Sequence, residues 1–137
     1  MGLKEERNKD LLEAYDRTLA KMGVHARYMS RKALIDLTIS SPAKRFYVTV
    51  EEAAKRINNI ERTGIAGVGC KRVKMQKQYE AIYRNYLRLS TQYKGYRKLD
   101  IISMALDLPA ECFYLELEGA CVLFWNLSNG KKKTQRK

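Results

Sequence analysis

Apolar residues recur along this chain every three or four positions, with charged residues between them, which is typical of amphipathic helices. Six segments show this pattern, and their predicted inward stripes include Leu37 in the second segment and Leu87 in the fourth. The predicted helices cover about residues 4–22, 30–41, 49–62, 71–91, 98–107 and 117–127. The pattern predicts a mainly α protein.

Residues that favour helix ends lie at these boundaries. Gly23 is a natural stop for the first helix, and Ser30 is a suitable N-cap for the second. The second helix must end before Pro42, because the residue before a proline avoids helical backbone angles. Thr49 and Glu52 have the spacing of a capping box, which predicts that the third helix begins there.

The two prolines of the chain both begin the motif P-A-x-x-F-Y, at residues 42–47 and 109–114. The copies are 67 residues apart, and Ile35 matches Ile102 in the same register. Such an internal repeat indicates two tandem, diverged three-helix units that pack as a pseudo-symmetric pair.

Each unit contains a short aromatic and aliphatic piece, at residues 46–48 and 113–115. Both pieces are predicted to be extended, and they can pair as a minimal β ribbon between the units.

The repeat and the composition divide the chain into four parts. We expect repeat unit one at 1–62, a glycine-rich basic linker at 63–73, repeat unit two at 74–130 and a disordered basic tail at 131–137. The linker lacks the G-x-x-x-x-G-K-[ST] pattern, so it is not predicted to bind nucleotide phosphates.

The chain has a net charge of +12, which points to a polyanionic partner. Residues 1–60 and 61–78 each carry +4 and residues 131–137 carry +5, whereas residues 79–130 carry −1. The basic surface is therefore expected on unit one, the linker and the tail, and unit two is expected to serve packing or assembly.

The third helices of the two units differ most, because Lys55 and Arg56 correspond to Val122 and Leu123. Two successive helices, of which the second carries Arg, Lys and Asn, have the general form of a DNA-binding motif that places its second helix in the major groove. The alternative interpretation is that the charged residues of this helix form only a solvated face.

Basic clusters beside the linker and in the tail are suited to phosphate binding with counterion release. The predicted nucleic-acid-binding residues are Lys44, Arg45, Lys55, Arg56, Asn59, Arg62, Lys71, Arg72, Lys74, Lys77, Lys131, Lys132 and Lys133.

Residues 117–127 are apolar on nearly all sides, which requires burial in the core or at a partner interface. The predicted interface residues are Val122, Leu123, Phe124 and Trp125, through which a homodimer or higher oligomer would form.

Tyrosines are frequent, with nine in the chain. Tyr93 and Tyr96 lie among basic residues, where their rings either stack on single-stranded nucleic acid or pack with their hydroxyls at the surface. Tyr79, Tyr83 and Tyr86 are expected to pack in the core.

The residue types of a catalytic or metal site do not assemble in this sequence. The cysteines lie at 70, 112 and 121 without C-x-x-C spacing, so neither a disulfide framework nor a zinc site is predicted. Cys112 and Cys121 are expected to be buried thiols. His25 is the only histidine, and no set of nucleophile, base and orienting group can be built. We expect a protein without enzymatic activity, cofactor, metal or small-molecule substrate.

The longest apolar run, residues 120–125, is far shorter than the roughly 20 residues that cross a bilayer. The first residues lack the apolar region of a signal peptide. We expect a cytoplasmic protein with no membrane partner.

Residues 46–57, FYVTVEEAAKRI, resemble the opening helix of excisionase-like and MerR-like winged-helix domains. The second helix of that motif is not predicted, since the glycine-rich linker follows. More broadly, a small basic chain with the P-A-x-x-F-Y motif is similar to uncharacterised proteins of bacterial phages and other mobile elements. The resemblance implies a role in the DNA transactions of such an element.

The leading hypothesis is a non-enzymatic accessory or regulatory protein that binds nucleic acid, with DNA favoured over RNA. One alternative is a structural or assembly protein that oligomerises through residues 117–127. Another is an RNA-binding accessory subunit of an enzyme encoded elsewhere.

Overall fold

The computed structural model describes residues 2–64 and 72–135, and the side chains of residues 129–135 lie outside the description. Over these residues the chain is mainly helical, as predicted. A 3₁₀ segment, Gly23–Tyr28, follows the first helix. The six α-helices are α1 (Leu3–Met22), α2 (Arg31–Ile39), α3 (Val50–Thr63), α4 (Val73–Gln92), α5 (Lys98–Asp107) and α6 (Leu117–Gln135).

Local hydrogen bonds fix the helix ends that the sequence predicts. The Ser30 hydroxyl accepts the Ala33 N–H at 3.1 Å, and the Thr49 hydroxyl accepts the Glu52 N–H at 3.2 Å. The Glu52 carboxylate pairs with Arg56, so the hydroxyl half of the predicted capping box is present. These side-chain acceptors satisfy N–H groups that have no partner within the helix.

Two backbone segments meet where the P-A-x-x-F-Y motifs lie. Ala43 and Ala110 exchange reciprocal N–H···O=C bonds of 3.0 Å, and both bonds join positions 67 residues apart. A second pair of bonds obeys the same offset. The Phe46 N–H donates to the Leu106 carbonyl at 2.9 Å, and the Phe113 N–H donates to the Ile39 carbonyl at 3.0 Å. These four bonds have the arrangement of an approximate two-fold axis.

The pairing is an isolated antiparallel bridge, and the predicted extended pieces at 46–48 and 113–115 form no strand in the described structure. A longer β ladder has no room there, because α3 and α6 begin soon after the two pieces, at residues 50 and 117. Tyr114 has a φ of 54°, so the second piece turns at this residue.

The third helix of each half packs on the other half of the chain. We call residues 2–64 the first half and residues 72–128 the second half. Helix α2 packs against α6, and α3 packs against α5 and α4. The buried core consequently draws on both halves, with Leu11, Ile35 and Ile57 from the first and Ile82, Ile102 and Phe124 from the second.

Several predicted inward residues lie elsewhere. Leu37 and Leu87 are exposed, which corrects the predicted inward stripes. Thr38, which was predicted on the inner side of the same helix, is buried: its hydroxyl donates to the Leu34 carbonyl at 2.8 Å and lies 3.2 Å from the Thr18 hydroxyl of α1. The Cys112 and Cys121 thiols are partly buried and not fully buried as expected, while Cys70 lies outside the described residues.

Helix α6 continues to Gln135 and thus includes most of the tail that was predicted to be disordered. No proline follows Pro109, so every residue of α6 retains the backbone N–H group that helical hydrogen bonding requires. Basic residues near a helix C-terminus also interact favourably with the helix dipole.

Candidate nucleic-acid interface

Helix α3 carries four of the predicted binding residues, and the structure uses part of that face internally. The side chain of Arg56 is only 18% exposed, and its Nε lies 3.0 Å from Glu52 Oε1. Its guanidinium also lies over the Tyr79 ring of α4, 5.3 Å from the centroid. Arg56 therefore joins α3 to α4, which removes it from a free binding surface.

Other polar residues of α3 also bind neighbouring side chains. Asn59 accepts a hydrogen bond of 3.2 Å from Arg62, and Lys98 of α5 binds both Asn58 and Glu61. Lys55 and Arg62 are exposed. A helix held between α4 and α5 offers fewer basic side chains to a DNA groove than its sequence suggests.

Lys44 and Arg45 each lie beside an acid. Lys44 Nζ is 2.7 Å from Glu13 Oε2, and this bond raises the pKa of Lys44 and lowers the pKa of Glu13. Arg45 Nη1 is 3.3 Å from Asp107 Oδ1. Both positive charges are thus largely balanced where they lie.

Asp10 organises the backbone near these two residues. It is 2% exposed, and its Oδ2 accepts the Tyr47 hydroxyl at 2.7 Å and the Lys44 N–H at 2.9 Å. Burial and the bond to Asp10 raise the pKa of Tyr47. This network attaches α1 to the first P-A-x-x-F-Y segment and accounts for the buried carboxylate in structural terms.

Arg72 and Lys74, also predicted to bind nucleic acid, meet two basic residues of α1. Two adjoining cavities of about 190 and 300 Å³ share Arg7 and Arg72 in their walls. We call this region the cationic cleft. Its basic lining residues are Lys4, Arg7, Arg72 and Lys74, and Glu116 is the only acid among the lining residues described.

Arg7 is the central side chain of the cleft. It is partly buried, and burial lowers its pKa. Its guanidinium bonds Asn8 Oδ1 at 3.1 and 3.3 Å, and no carboxylate lies within salt-bridge distance in the described part of the chain. A partly desolvated guanidinium without a counter-ion is a favourable partner for an anionic oxygen.

The cleft also lies at the N-terminal ends of helices. Lys4 and Arg7 belong to the first turns of α1, Arg72 and Lys74 begin α4, and Glu116 precedes α6. Helix N-termini carry partial positive charge and reinforce the field of the basic side chains. The Lys74 ammonium donates to the Leu115 carbonyl at 2.6 Å, which fixes one wall.

The 67-residue offset reveals basic residues that the sequence analysis did not select. Six positions carry Lys or Arg in both copies, whereas only Glu13 with Glu80 and Glu51 with Glu118 keep an acid. No basic position of α3 is among them. The basic pairs are Lys4 with Lys71, Arg7 with Lys74, Arg17 with Arg84, Lys21 with Arg88, Arg27 with Lys94 and Arg31 with Lys98.

The remaining predicted binding residues lie on α4, on α6 or outside the described residues. Lys77 is exposed on α4, and Lys71 lies outside the described residues. The backbone of Lys131, Lys132 and Lys133 belongs to α6, and their side chains lie outside the description.

The four predicted interface residues do not share one environment. Phe124 is in the core and packs against Tyr15 with ring centroids 5.1 Å apart, and Leu123 is partly buried. Val122 and Trp125 are 57% and 61% exposed. The apolar surface available for a partner is therefore limited to one flank of α6.

Comparison with protein-family models, with curated proteins and with solved structures found no match to this chain. Within the described residues, no helix has the length and apolar character that a membrane span requires.

Proposed function

We propose that the protein is a non-enzymatic, nucleic-acid-binding accessory protein that contacts the phosphate backbone through the cationic cleft. The observation that carries this proposal is the convergence of Lys4, Arg7, Arg72 and Lys74 on one concave surface with a single acid, Glu116. Clustered bases that displace condensed counterions supply most of the affinity of non-specific nucleic-acid binding.

The proposal differs from the sequence-based hypothesis in the surface that it uses. Arg56 is held by Glu52 and Tyr79, and Lys98 ties α5 to α3, so the outer face of α3 has few free bases. Arg7 and Arg72 have no acidic partner among the described residues. The cleft thus brings together on one surface several basic groups that form no ion pair with a described carboxylate.

DNA is the nucleic acid that we propose, in keeping with the expectation from the sequence. RNA is the alternative that the binding experiment distinguishes. The contacts expected here are to phosphates, and such contacts position a protein without selecting a base sequence.

The test is binding of labelled duplex DNA, single-stranded DNA and RNA across a salt series. The double variant Arg7→Ala, Arg72→Ala is compared with Lys55→Ala, Arg62→Ala, which removes the same charge from exposed residues of α3. The cleft variant should bind at least about tenfold more weakly. Its salt slope should fall by roughly 2, about 1 for each phosphate that the protein no longer neutralises.

The α3 variant should keep most of the affinity and nearly the full salt slope. Equal reductions in the two variants would mean that only net charge matters, and the cleft would have no special role. Absence of binding by the unchanged chain at moderate salt would remove the proposal altogether.

A second candidate function is assembly through α6. It is favoured by the exposure of Val122 and Trp125, which lie three residues apart on the same face of the helix. Sedimentation at several protein concentrations tests it, and Val122→Ser should then shift the chain towards the monomer. A monomer at every concentration would exclude this candidate.

A further inference from the structure

The connection between α1 and α2 presents an aromatic ring to solvent. Gly23 ends α1 with a φ of 54°, and the 3₁₀ segment Gly23–Tyr28 follows. Tyr28 is 87% exposed, and it is the most exposed of the large hydrophobic residues described. A ring that stays this exposed against the described residues is available to a ligand.

The charged residues that flank Tyr28 along the sequence have one sign. Every charged residue between Asp16 and Asp36 is basic: Arg17, Lys21, Arg27, Arg31 and Lys32. We call Arg27, Tyr28, Arg31 and Lys32 the first tip. All four residues are exposed.

Helix α6 reaches the first tip. Arg31 Nη2 lies 3.4 Å from the Ser128 hydroxyl, and this contact brings the later turns of α6 beside the start of α2. Trp125 precedes Ser128 by three residues, so it lies on the same side of α6. It is 61% exposed, which adds a second open aromatic surface near the tip.

The corresponding connection in the second half is closed by internal contacts. Lys98, which matches Arg31, binds Glu61, and Glu61 matches Ser128 at the same offset. Arg97 Nε lies 3.1 Å from Asp100 Oδ2. We call residues 93–98 the second tip. Its charges are partly balanced by acids, whereas no described carboxylate forms an ion pair with Arg27, Arg31 or Lys32 of the first tip.

The aromatic rings of the two tips differ in the same way. Tyr93 and Tyr96 pack edge to face, with centroids 5.3 Å apart. Tyr28 has no ring partner in the described structure. The second tip therefore provides a matched control for the first within one molecule.

We propose that the first tip binds unpaired bases of single-stranded nucleic acid, with Tyr28 stacking on a base and Arg27, Arg31 and Lys32 contacting the adjoining phosphates. Stacking on an aromatic face is tolerant of base identity, and flanking basic side chains hold the nucleic-acid backbone. The strand would continue towards Trp125. Insertion into an anionic membrane would require a broader apolar face than the exposed side chains of Val24, Tyr28 and Trp125 provide.

This inference rests on the proposed function for the class of ligand, but it uses different residues from the cationic cleft. A protein that holds phosphates at the cleft and bases at the tip would prefer single strands or duplexes with single-stranded ends. Duplex DNA without free ends would engage the cleft and leave Tyr28 unused.

The experiment measures binding of an oligothymidylate and of a blunt duplex of equal length to the full chain. Tyr28→Ala is compared with Tyr96→Ala, which removes the same ring from an exposed position of the second tip. Tyr28→Ala should weaken oligothymidylate binding about tenfold, within the range for removal of one aromatic stack. Its affinity for the duplex should stay within about twofold of the unchanged chain, and Tyr96→Ala should have little effect on either ligand.

Trp125 gives a second readout, because it is the only tryptophan of the chain. Its fluorescence should change when the oligothymidylate saturates the protein. An unchanged signal together with unchanged affinity of Tyr28→Ala would overturn the inference, as would equal reductions in affinity for Tyr28→Ala and Tyr96→Ala.

Four further outcomes would separate the tip inference from the proposed function or overturn it. If Arg7→Ala, Arg72→Ala weakens binding and Tyr28→Ala does not, the proposed function stands and the tip inference fails. If the unchanged chain binds no nucleic acid, both fail. If Tyr28→Ala instead abolishes binding to vesicles that contain phosphatidylglycerol, the tip contacts a membrane and the inference is overturned. If the Trp125 signal changes with protein concentration alone, the tip contacts a second copy of the chain, and the inference is again overturned.

Discussion

Replacing Tyr47 with phenylalanine removes one hydroxyl and leaves the ring in place. That hydroxyl donates to Asp10 Oδ2 at 2.7 Å and thereby attaches the first P-A-x-x-F-Y segment to α1. The carboxylate is 2% exposed, so water does not readily replace the missing donor. Afterwards Asp10 keeps the Lys44 N–H as a hydrogen-bond donor, and Arg17 Nη2 lies 4.0 Å from its Oδ1.

The magnitude follows from this geometry. A hydrogen bond to a charged group contributes about 1.5–3 kcal/mol, and a buried acceptor deprived of a donor is near the middle of that range or above it. Asp10 Oδ1 has no hydrogen-bond partner in the described structure, so the remaining donors cannot fully compensate. We expect Tyr47→Phe to reduce the free energy of unfolding by about 2 kcal/mol.

The second half supplies the control, because Tyr114 occupies the equivalent position. Its equivalent of Asp10 is Lys77, and the Tyr114 hydroxyl makes no hydrogen bond in the described part of the chain. Tyr114→Phe should therefore change the free energy of unfolding by less than about 0.5 kcal/mol, as is usual for a substitution that breaks no specific contact.

Urea unfolding, followed by circular dichroism at neutral pH, measures both variants. For Tyr47→Phe the midpoint should fall while the slope stays constant, since the surface exposed on unfolding is unchanged. Thermal unfolding should show a decrease of roughly 6–8 °C for a chain of this size. Equal destabilisation of the two variants, or a larger effect in Tyr114→Phe, would refute the importance of the Asp10 bond.

Three other predictions concern stability. Burial is the main cause of the raised pKa of Tyr47 and of the Tyr114 pKa of about 12. An unfolded tyrosine ionises at about pH 10, so the stability that these two residues contribute should be fully present below that pH. It should fall as the pH rises further, because the unfolded chain then loses protons that the folded chain keeps. Urea midpoints across this range should decline less in Tyr114→Phe, and an identical decline would contradict the assignment. Thr49→Ala should cost about 1 kcal/mol by removing the N-cap of α3, and Thr49→Ser should restore stability in the same assay. Ile102→Ala should reduce the free energy of unfolding by about 2–5 kcal/mol because the Ile102 side chain is fully buried. Leu99 is exposed, so Leu99→Ala should reduce it by less than about 0.5 kcal/mol. Similar unfolding midpoints for the two variants would contradict the placement of Ile102 in the core.

The helices were predictable because their signals are local. Ser30 and Thr49 act as N-caps in the structure as the sequence indicates, and α2 ends before Pro42. The spacing of apolar residues places α5 at the predicted residues. Each of these features depends on neighbours within one or two helical turns.

The exchange of third helices was not predictable, since it depends on contacts between residues far apart in the chain. The same limit affects the site. Arg56 looks like a free base in the sequence, and only the approach of Tyr79 shows that it is enclosed. The cationic cleft joins residues of α1 to the start of α4, and the signal available for it was the offset that matches Arg7 with Lys74.

The reciprocal packing of α3 on α5 and of α6 on α2 makes each half of the chain depend on the third helix of the other half. A change in α3 alters the surface that the second half must accommodate, and a change in α6 does the same to the first half. Compensating substitutions should therefore arise between residues of opposite copies. Neither third helix can change without affecting the opposite half, and the matched positions Glu61 and Ser128 make this contact by different chemistry: Glu61 forms an ion pair with Lys98, and Ser128 accepts a hydrogen bond from Arg31.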